Sequence, residues 1–390
     1  MRFIRKQNRR RTLALIVPAL LALAPAAQAV ELSAGDWKVD VGGFVNAYYT
    51  YTNCDGDAVG GFALAGTALG CGGQGARSTI GNGLLPNALV TKFSTNQEGY
   101  DIGGTIAIMA HTATSSAIAP NSGVDVRQAF FTVGNGHIGT FKLGRDYGVF
   151  GSSAILGDMT LLGVGMPIQA TQRGRVSLGH IGAGYSYLGH YGQIAWTSPA
   201  FAGGNVTLAL MSPVDNGLAG THDAGSSPQV QGQYAWSGNG VKLWIAGKYQ
   251  KFEPFDGTGG QPFTMSGGEI GASFTAGKFS ALANVQSGKG LGILSDGDQQ
   301  DTKSTNWLVQ GAYDFTPKLK LGANYGESKN NDDTPGAMGL ESNRNGTLGL
   351  YYKLTKSVTL VGEVSQTRSR AFDGAEATMD GYAVGGIVFF

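Results

Sequence analysis

The sequence predicts an all-β fold: a transmembrane antiparallel β-barrel of about 16 strands. Three observations predict it. Apolar and polar residues alternate with period two over segments of about ten residues, the length of a tilted membrane-spanning strand. Short turns and long polar or Gly-rich loops alternate between those segments. The composition holds 64 Gly and 14% charged residues, against usual shares of about 7% and 25%. Beyond the first 29 residues it contains no apolar run of the roughly 20 residues that a membrane helix needs.

Each element can be read from its alternation. In "KLWIAGKYQ" (242–250), Leu243, Ile245 and Tyr249 lie opposite Lys242, Lys248 and Gln250. In "LKLGANYGE" (319–327), Leu319, Leu321, Ala323 and Tyr325 oppose Lys320 and Asn324. In "TLGLYYKLT" (347–355), Leu348, Leu350, Tyr352 and Leu354 oppose Thr347, Tyr351 and Lys353. Such a strand has one apolar and one wet face. In chain order the strands fall near 38–50, 85–95, 101–111, 124–133, 138–146, 189–198, 205–213, 228–237, 241–252, 266–275, 278–288, 302–315, 319–328, 342–354, 358–368 and 378–390. Segment 176–187, "VSLGHIGAGYSY", also alternates and reads either as strand or as part of the long loop before it.

The tight joints include "GNGH" (134–137), "FAGG" (201–204), "SGNG" (237–240), "AGK" (276–278), "TPK" (316–318) and "TKS" (355–357). The long joints lie near 53–83, 112–123, 147–175, 214–227, 253–265, 289–301, 329–341 and 369–377. Pro199 and Pro213 sit at strand ends, where proline is tolerated. A water-soluble sandwich would accept any one of these strands. It does not account for so many bilayer-length strands with strictly alternating joints, and it would leave edges that a closed barrel abolishes.

The first 29 residues read as a cleavable signal peptide. Arg2, Arg5, Lys6, Arg9, Arg10 and Arg11 precede the short apolar run "TLALIVPALLALAPA". Ala27 and Ala29 then give a small-x-small cleavage site. The domain division is therefore a signal peptide over 1–29 and one barrel over 30–390. Without that segment 22 basic residues face 27 acids, a balance that argues against a nucleic-acid partner. Cys54 and Cys71 are the two cysteines. In an exported chain they read as one loop-closing disulfide, the alternative being two free thiols.

Two stretches carry a resemblance to a known family. "VRQAFFTVGNGHIGTFKLGRDYGVF" (126–150) and "IAWTSPAFAGG" (194–204) resemble the strand–turn–strand that enters the third loop of Gram-negative general porins and the stretch that leaves it. The resemblance runs from Asp36 to Phe390. It implies a trimeric, 16-stranded outer-membrane barrel whose third long loop folds into the lumen. The expected function is passive diffusion of small hydrophilic solutes and ions. The alternatives are a substrate-selective channel for small organic solutes and, less favoured, an enzyme or adhesin built on a barrel. Expected partners are outer-membrane lipid, a homotrimer, the barrel-assembly machinery and small solutes, with no cofactor and no metal.

The resemblance also implies a constriction in which acids of the third loop face bases of the wall. In "GDMTLL" the loop offers one acid, Asp158; Leu162 stands where the resemblance expects a second acid, and Leu161 and Leu162 line the loop. The wall candidates are Lys92, Lys142, Arg145 and His190. Lys92 and Lys142 have lumen parity. Arg145 shares parity with Phe141 and Leu143, so only a bulge near Gly144 would turn it inward; otherwise it is a rim residue. Arg127 shares parity with Phe131 and reads as a rim or interface residue. Arg173 and Arg175 could line the end of the loop or simply be solvated. Phe390 and Tyr382 share the lipid-side row of the last strand; the resemblance implies that this strand, ending in Phe390, is the assembly signal, with Phe389 on the lumen side mattering less. The five scattered His form no HExxH, and "GYSYL" (184–188) lacks the last Gly of GxSxG, so no catalytic cluster is predicted.

Overall fold

A computed structural model describes residues 30–113, 124–169, 177–217, 219–255 and 260–390. Residues 1–29, expected from the sequence to be a signal peptide, lie outside the described residues, as do Arg173 and Arg175. Sixteen antiparallel strands form the wall. They are β1 (Trp37–Gly56), β2 (Asn87–Gln97), β3 (Tyr100–Ala110), β4 (Val124–Asn135), β5 (Gly139–Tyr147) and β6 (His190–Thr197). The wall continues with β7 (Gly204–Met211), β8 (Gln229–Gly238), β9 (Val241–Pro254), β10 (Phe263–Ala276) and β11 (Phe279–Lys289). It ends with β12 (Lys303–Asp314), β13 (Leu319–Asn330), β14 (Leu340–Lys353), β15 (Val358–Ala371) and β16 (Glu376–Phe389). Short strands Val30–Ala34, Ala76–Gly81 and His222–Ala224 extend the sheet at its rims.

Each wall strand pairs with its sequence neighbours, and β16 closes the barrel on β1 from Ala377↔Gly56 to Phe389↔Phe44. Closure leaves no unpaired edge for lipid to meet, the condition for a sheet in a bilayer. The strands match the sixteen expected from alternation, and β1 runs further than expected, to Gly56. Segment 177–187 adds no wall strand. Its two bridges, Gly165↔Gly179 and Ile181↔Tyr185, belong to the third long loop, which therefore runs from 148 to 189.

The alternation is resolved as two faces. Leu348, Leu350, Val364 and Val384 are exposed on the outside, where lipid would cover them. Asn345, Thr347, Glu363 and Thr367, of opposite parity on the same strands, are buried on the inside. Aromatic pairs girdle the outside at both ends of the strands. Trp37–Phe93, Phe274–Phe279 and Tyr313–Phe315 lie near the tight turns. Tyr51–Tyr382 and Trp307–Tyr325 lie nearer the long loops. This matches the interfacial girdles of transmembrane barrels. The turn at Asn239–Gly240 has positive φ at both residues, 52° and 79°, the mirror-image geometry that follows strand twist in a two-residue hairpin.

Cys54 and Cys71 form a disulfide between β1 and the first long loop. The apolar core lies within the barrel. Leu64 and Cys71 of the first long loop, Ile155, Leu161, Met166, Ile168 and Tyr185 of the third, and Ile293 of the loop after β11 share one buried cluster with wall residues such as Leu282 and Leu308.

Candidate channel constriction

The third long loop leaves the wall at Tyr147 and rejoins it at His190. It forms a short helix, Ser152–Gly157, then a 3-10 turn, Met159–Leu162. A backbone buried away from water needs partners for its N–H and C=O groups, and here the wall supplies them. The Val149 and Phe150 amides donate to Gln231 Oε1 of β8 at 2.7 and 2.8 Å. The Gly151 amide donates to Glu269 Oε2 of β10 at 2.9 Å. Gln310 of β12 accepts from the Met159 amide and donates to the Gly157 carbonyl. Tyr48 of β1 donates its hydroxyl to the Leu162 carbonyl at 2.6 Å. Glu363 of β15 accepts from the Val164 and Gly165 amides at 2.8 and 2.7 Å. Gln286 of β11 and Ser328 of β13 take the Ser186 and Gly184 amides. These contacts run along the inner wall from β8 to β1. Gly163 permits the close approach, because a Cβ there would lie 2.1 Å from Glu363 Oε1.

Asp158 does not face an open lumen. Its carboxylate is buried and accepts from the Thr160 amide and hydroxyl, at 2.9 and 2.8 Å, and from the Tyr185 hydroxyl at 2.7 Å. His180 Nδ1 lies 3.4 Å from Oδ2, the oxygen that takes the Tyr185 hydroxyl, and Asn324 of β13 approaches Oδ1. Burial pushes this carboxyl up, but His180, the Tyr185 hydroxyl and the Thr160 amide outweigh burial and hold it below the usual carboxylate range. Burial, then the Asp158 charge, push the Tyr185 hydroxyl well above its ordinary value. The expected pairing of Asp158 with wall bases is therefore corrected. Among the described residues its partners belong to the loop and to β13, and none is Lys92, Lys142, Arg145 or His190.

The predicted bases separate. Lys142 lies on the inner face, paired with Asp146 at 2.5 Å and 5.0 Å from the centre of the Phe130 ring. Lys92 is inward and half-buried, in register with Asp40 on one side and buried Thr105 on the other. Arg145 is exposed on the outer face, between Ala129 and Gly192, so it does not line the lumen. No register shift occurs at Gly144, and parity with Phe141 and Leu143 decides the outcome. The inward residue of "GRDYG" is Asp146, which is buried and also accepts from Gln128 at 3.0 Å.

Arg127 is corrected in the opposite sense. A register shift between Ala107 and Met109 sets Val126 and Arg127 against one residue of β3, a bulge that reverses parity. Arg127 is thus buried, 2.6 Å from Asp125 and 3.1 Å from the Tyr187 hydroxyl. His190 packs its ring against Tyr147 and Tyr187 in the same neighbourhood. Leu161 is buried in the core cluster, and Leu162 packs against that cluster's edge. Phe390 and Tyr382 stand on the outer face, while Phe389 is buried inside against Phe44, ring centres 5.8 Å apart.

The residues missed from sequence are the wall groups that hold the loop: Tyr48, Gln231, Glu269, Gln286, Gln310, Ser328 and Glu363. Their signal was present. Each has lumen parity, and Glu269 and Glu363 are carboxylates at mid-strand, positions that need a reason to carry charge.

A closed 16-stranded barrel with an apolar belt, aromatic girdles and a loop bound to its inner wall defines an outer-membrane channel protein. The chain belongs to the Gram-negative porin family, whose sequence profile matches residues 13–371. No curated protein sequence gives a significant match. Among solved structures the chain is similar to the outer membrane channel DcaP of Acinetobacter baumannii, at 16% identity and a TM-score of 0.66, covering 92% of this chain and 99% of that one. It is also similar to the anion-selective porin from Comamonas acidovorans, at 16% identity and TM-score 0.64, covering 91% and 100%. A third likeness is to Salmonella typhi OmpF in complex with daunomycin, at 14% identity and TM-score 0.61, covering 93% and 100%. At these identities the likeness is one of fold. The protein is an outer-membrane porin forming a channel for small solutes.

Proposed function

We propose a passive channel whose constriction selects small hydrophilic solutes by size and surface rather than by a transverse electric field. One observation carries this reading: the one acid of the "GDMTLL" turn is buried on loop partners, and the wall carboxylates Glu269 and Glu363 accept from loop amides. Lys142 is compensated by Asp146, and Lys92 stands opposite Asp40. Paired charges in a lumen leave little net field to separate anions from cations. Export by the segment over 1–29, insertion by the barrel-assembly machinery, a homotrimeric state and a transport rather than enzymatic role belong to the same reading and rest on the family.

Reconstitution of the full protein in a planar bilayer tests it. Stepwise conductance is expected, with a reversal potential near zero in a potassium chloride gradient. Folded, inserted protein that never conducts, or a strongly shifted reversal potential, refutes it. A second reading is favoured by the apolar cluster that Leu64, Leu161 and Ile293 share inside the barrel. It is a channel selective for solutes with an apolar face, and it would show saturable block of conductance by one such solute class.

A further inference from the structure

The loop after β11, residues 290–302, does not project away from the barrel. Asp296 is buried beneath the wall residues of three distant strands. Its carboxylate accepts from Lys248 Nζ of β9 at 2.5 Å, from the Tyr191 hydroxyl of β6 at 2.8 Å and from Gln229 Nε2 of β8 at 2.9 Å. The Lys248 and Asp296 side chains are 1% and 2% exposed. Lys248 also sits 5.0 Å from the centre of the Phe150 ring, at the start of the third loop. The loop therefore reaches from its own hairpin past β10 and back along the inner wall as far as β6.

Two further contacts fix its shape. Asp298 accepts from the Ile293, Leu294 and Ser295 amides at 2.8, 2.8 and 3.0 Å, which closes a compact turn. That turn holds Ile293 over Gly182 of the third loop. A Cβ at Gly182 would lie 2.4 Å from Ile293 and 3.0 Å from Leu64 of the first long loop. Three loops thus meet at one point inside the barrel. A buried ion pair with its remaining lone pairs satisfied is a poor source of net stability, but it ties one geometry to one register, and removing either partner strands the other charge.

We propose that residues 290–302 form a second pore-narrowing loop, latched across the lumen by Asp296 on Lys248, Tyr191 and Gln229. Solute size is then filtered by two loops packed on each other, and Lys248 and Asp296 are positioning residues for that filter. The inference rests on the channel reading above.

The test uses the full-length protein in planar bilayers and in liposomes that report uptake of neutral sugars of increasing size. Lys248→Met and Asp296→Asn should each raise the unit conductance and move the sugar exclusion limit to larger molecules. The two variants change lumen charge in opposite senses, so a common direction, seen also with uncharged sugars, reads size rather than field. Replacing residues 291–301 by a Gly-Gly link should give the same shift, and heat-modifiable migration on gels verifies that this barrel folds. A folded loop-excised protein with wild-type conductance and wild-type exclusion limit overturns the inference while the channel reading stands. A wild-type protein that inserts and never conducts overturns the channel reading and this inference with it.

Discussion

Replacing Glu363 by Ala should release the third loop from the wall without unfolding the barrel. One carboxylate takes three donors: the Val164 amide at 2.8 Å, the Gly165 amide at 2.7 Å and the Tyr351 hydroxyl at 2.6 Å. The hydroxyl can rotate to another acceptor, but the two amides cannot reach water while the loop stays in place. Stranding a buried donor costs about 1–3 kcal/mol, so the two amides together weaken the docked loop by about 2–6 kcal/mol. At 1.4 kcal/mol per factor of ten, the lower figure alone opens the loop about thirtyfold more often. Hydrogen exchange of the peptide spanning 159–169, measured by mass spectrometry on detergent-folded protein, should accelerate by at least that factor. Single-channel recordings should grow noisier at the same time. Glu363→Gln keeps an oxygen for the two amides and loses only the charge assistance, so it should fall between Ala and wild type. Equal protection of that peptide in wild type and Glu363→Ala would refute the claim that wall carboxylates hold the loop.

Asp158→Asn should leave the reversal potential unchanged, because that carboxylate meets His180, Tyr185 and Thr160 rather than the lumen; a shifted potential would restore it as a pore charge. Folding favours the charged form of Asp158, since its partners outweigh burial and lower its pKa. Its contribution to loop docking is thus complete above the ordinary carboxylate range near about pH 4 and is lost as pH falls through the lowered value. Exchange protection of 159–169 should hold from neutral pH to pH 5 and drop only in stronger acid, and a Glu363-independent loss between pH 7 and 5 would contradict this. Phe389→Ala removes a ring packed on Phe44 inside the barrel and should cost about 3–5 kcal/mol, seen as a lower heat-modification midpoint. Phe390→Ala removes an outward ring that is 47% exposed without lipid and should slow insertion into vesicles while moving that midpoint less. This reverses, for stability, the ranking that parity alone gives the two residues.

Parity was a reliable guide wherever the ladder is regular, and its failures have local causes. Lipid and lumen impose opposite chemistry on alternate residues, so the sixteen strands were legible from alternation along the chain, and the outward turn of Arg145 from its parity with Phe141 and Leu143. Arg127 was not, because one extra residue opposite Ile108 inverts the order, and a bulge leaves no compositional mark there. Segment 177–187 alternates as a strand would, yet its small and apolar residues pack inside the barrel against Leu64, Ile293 and Leu308, and an interior loop can satisfy that pattern as well as a wall can. The constriction was the least legible part. Whether Asp158 faces water is decided by His180, Tyr185 and Asn324, which lie far along the chain. The scarcity of acid in the third loop and the carboxylates at mid-strand in β10 and β15 look unrelated in sequence, and the fold joins them. A loop packed against the inner wall buries backbone amides that then need acceptors. Glu269 and Glu363 supply those acceptors from the wall, so an acid on the loop facing them would meet like charge instead of a base. The thin charge of "GDMTLL" is then a consequence of how the loop is held, and selectivity and loop docking cannot be altered independently at these positions.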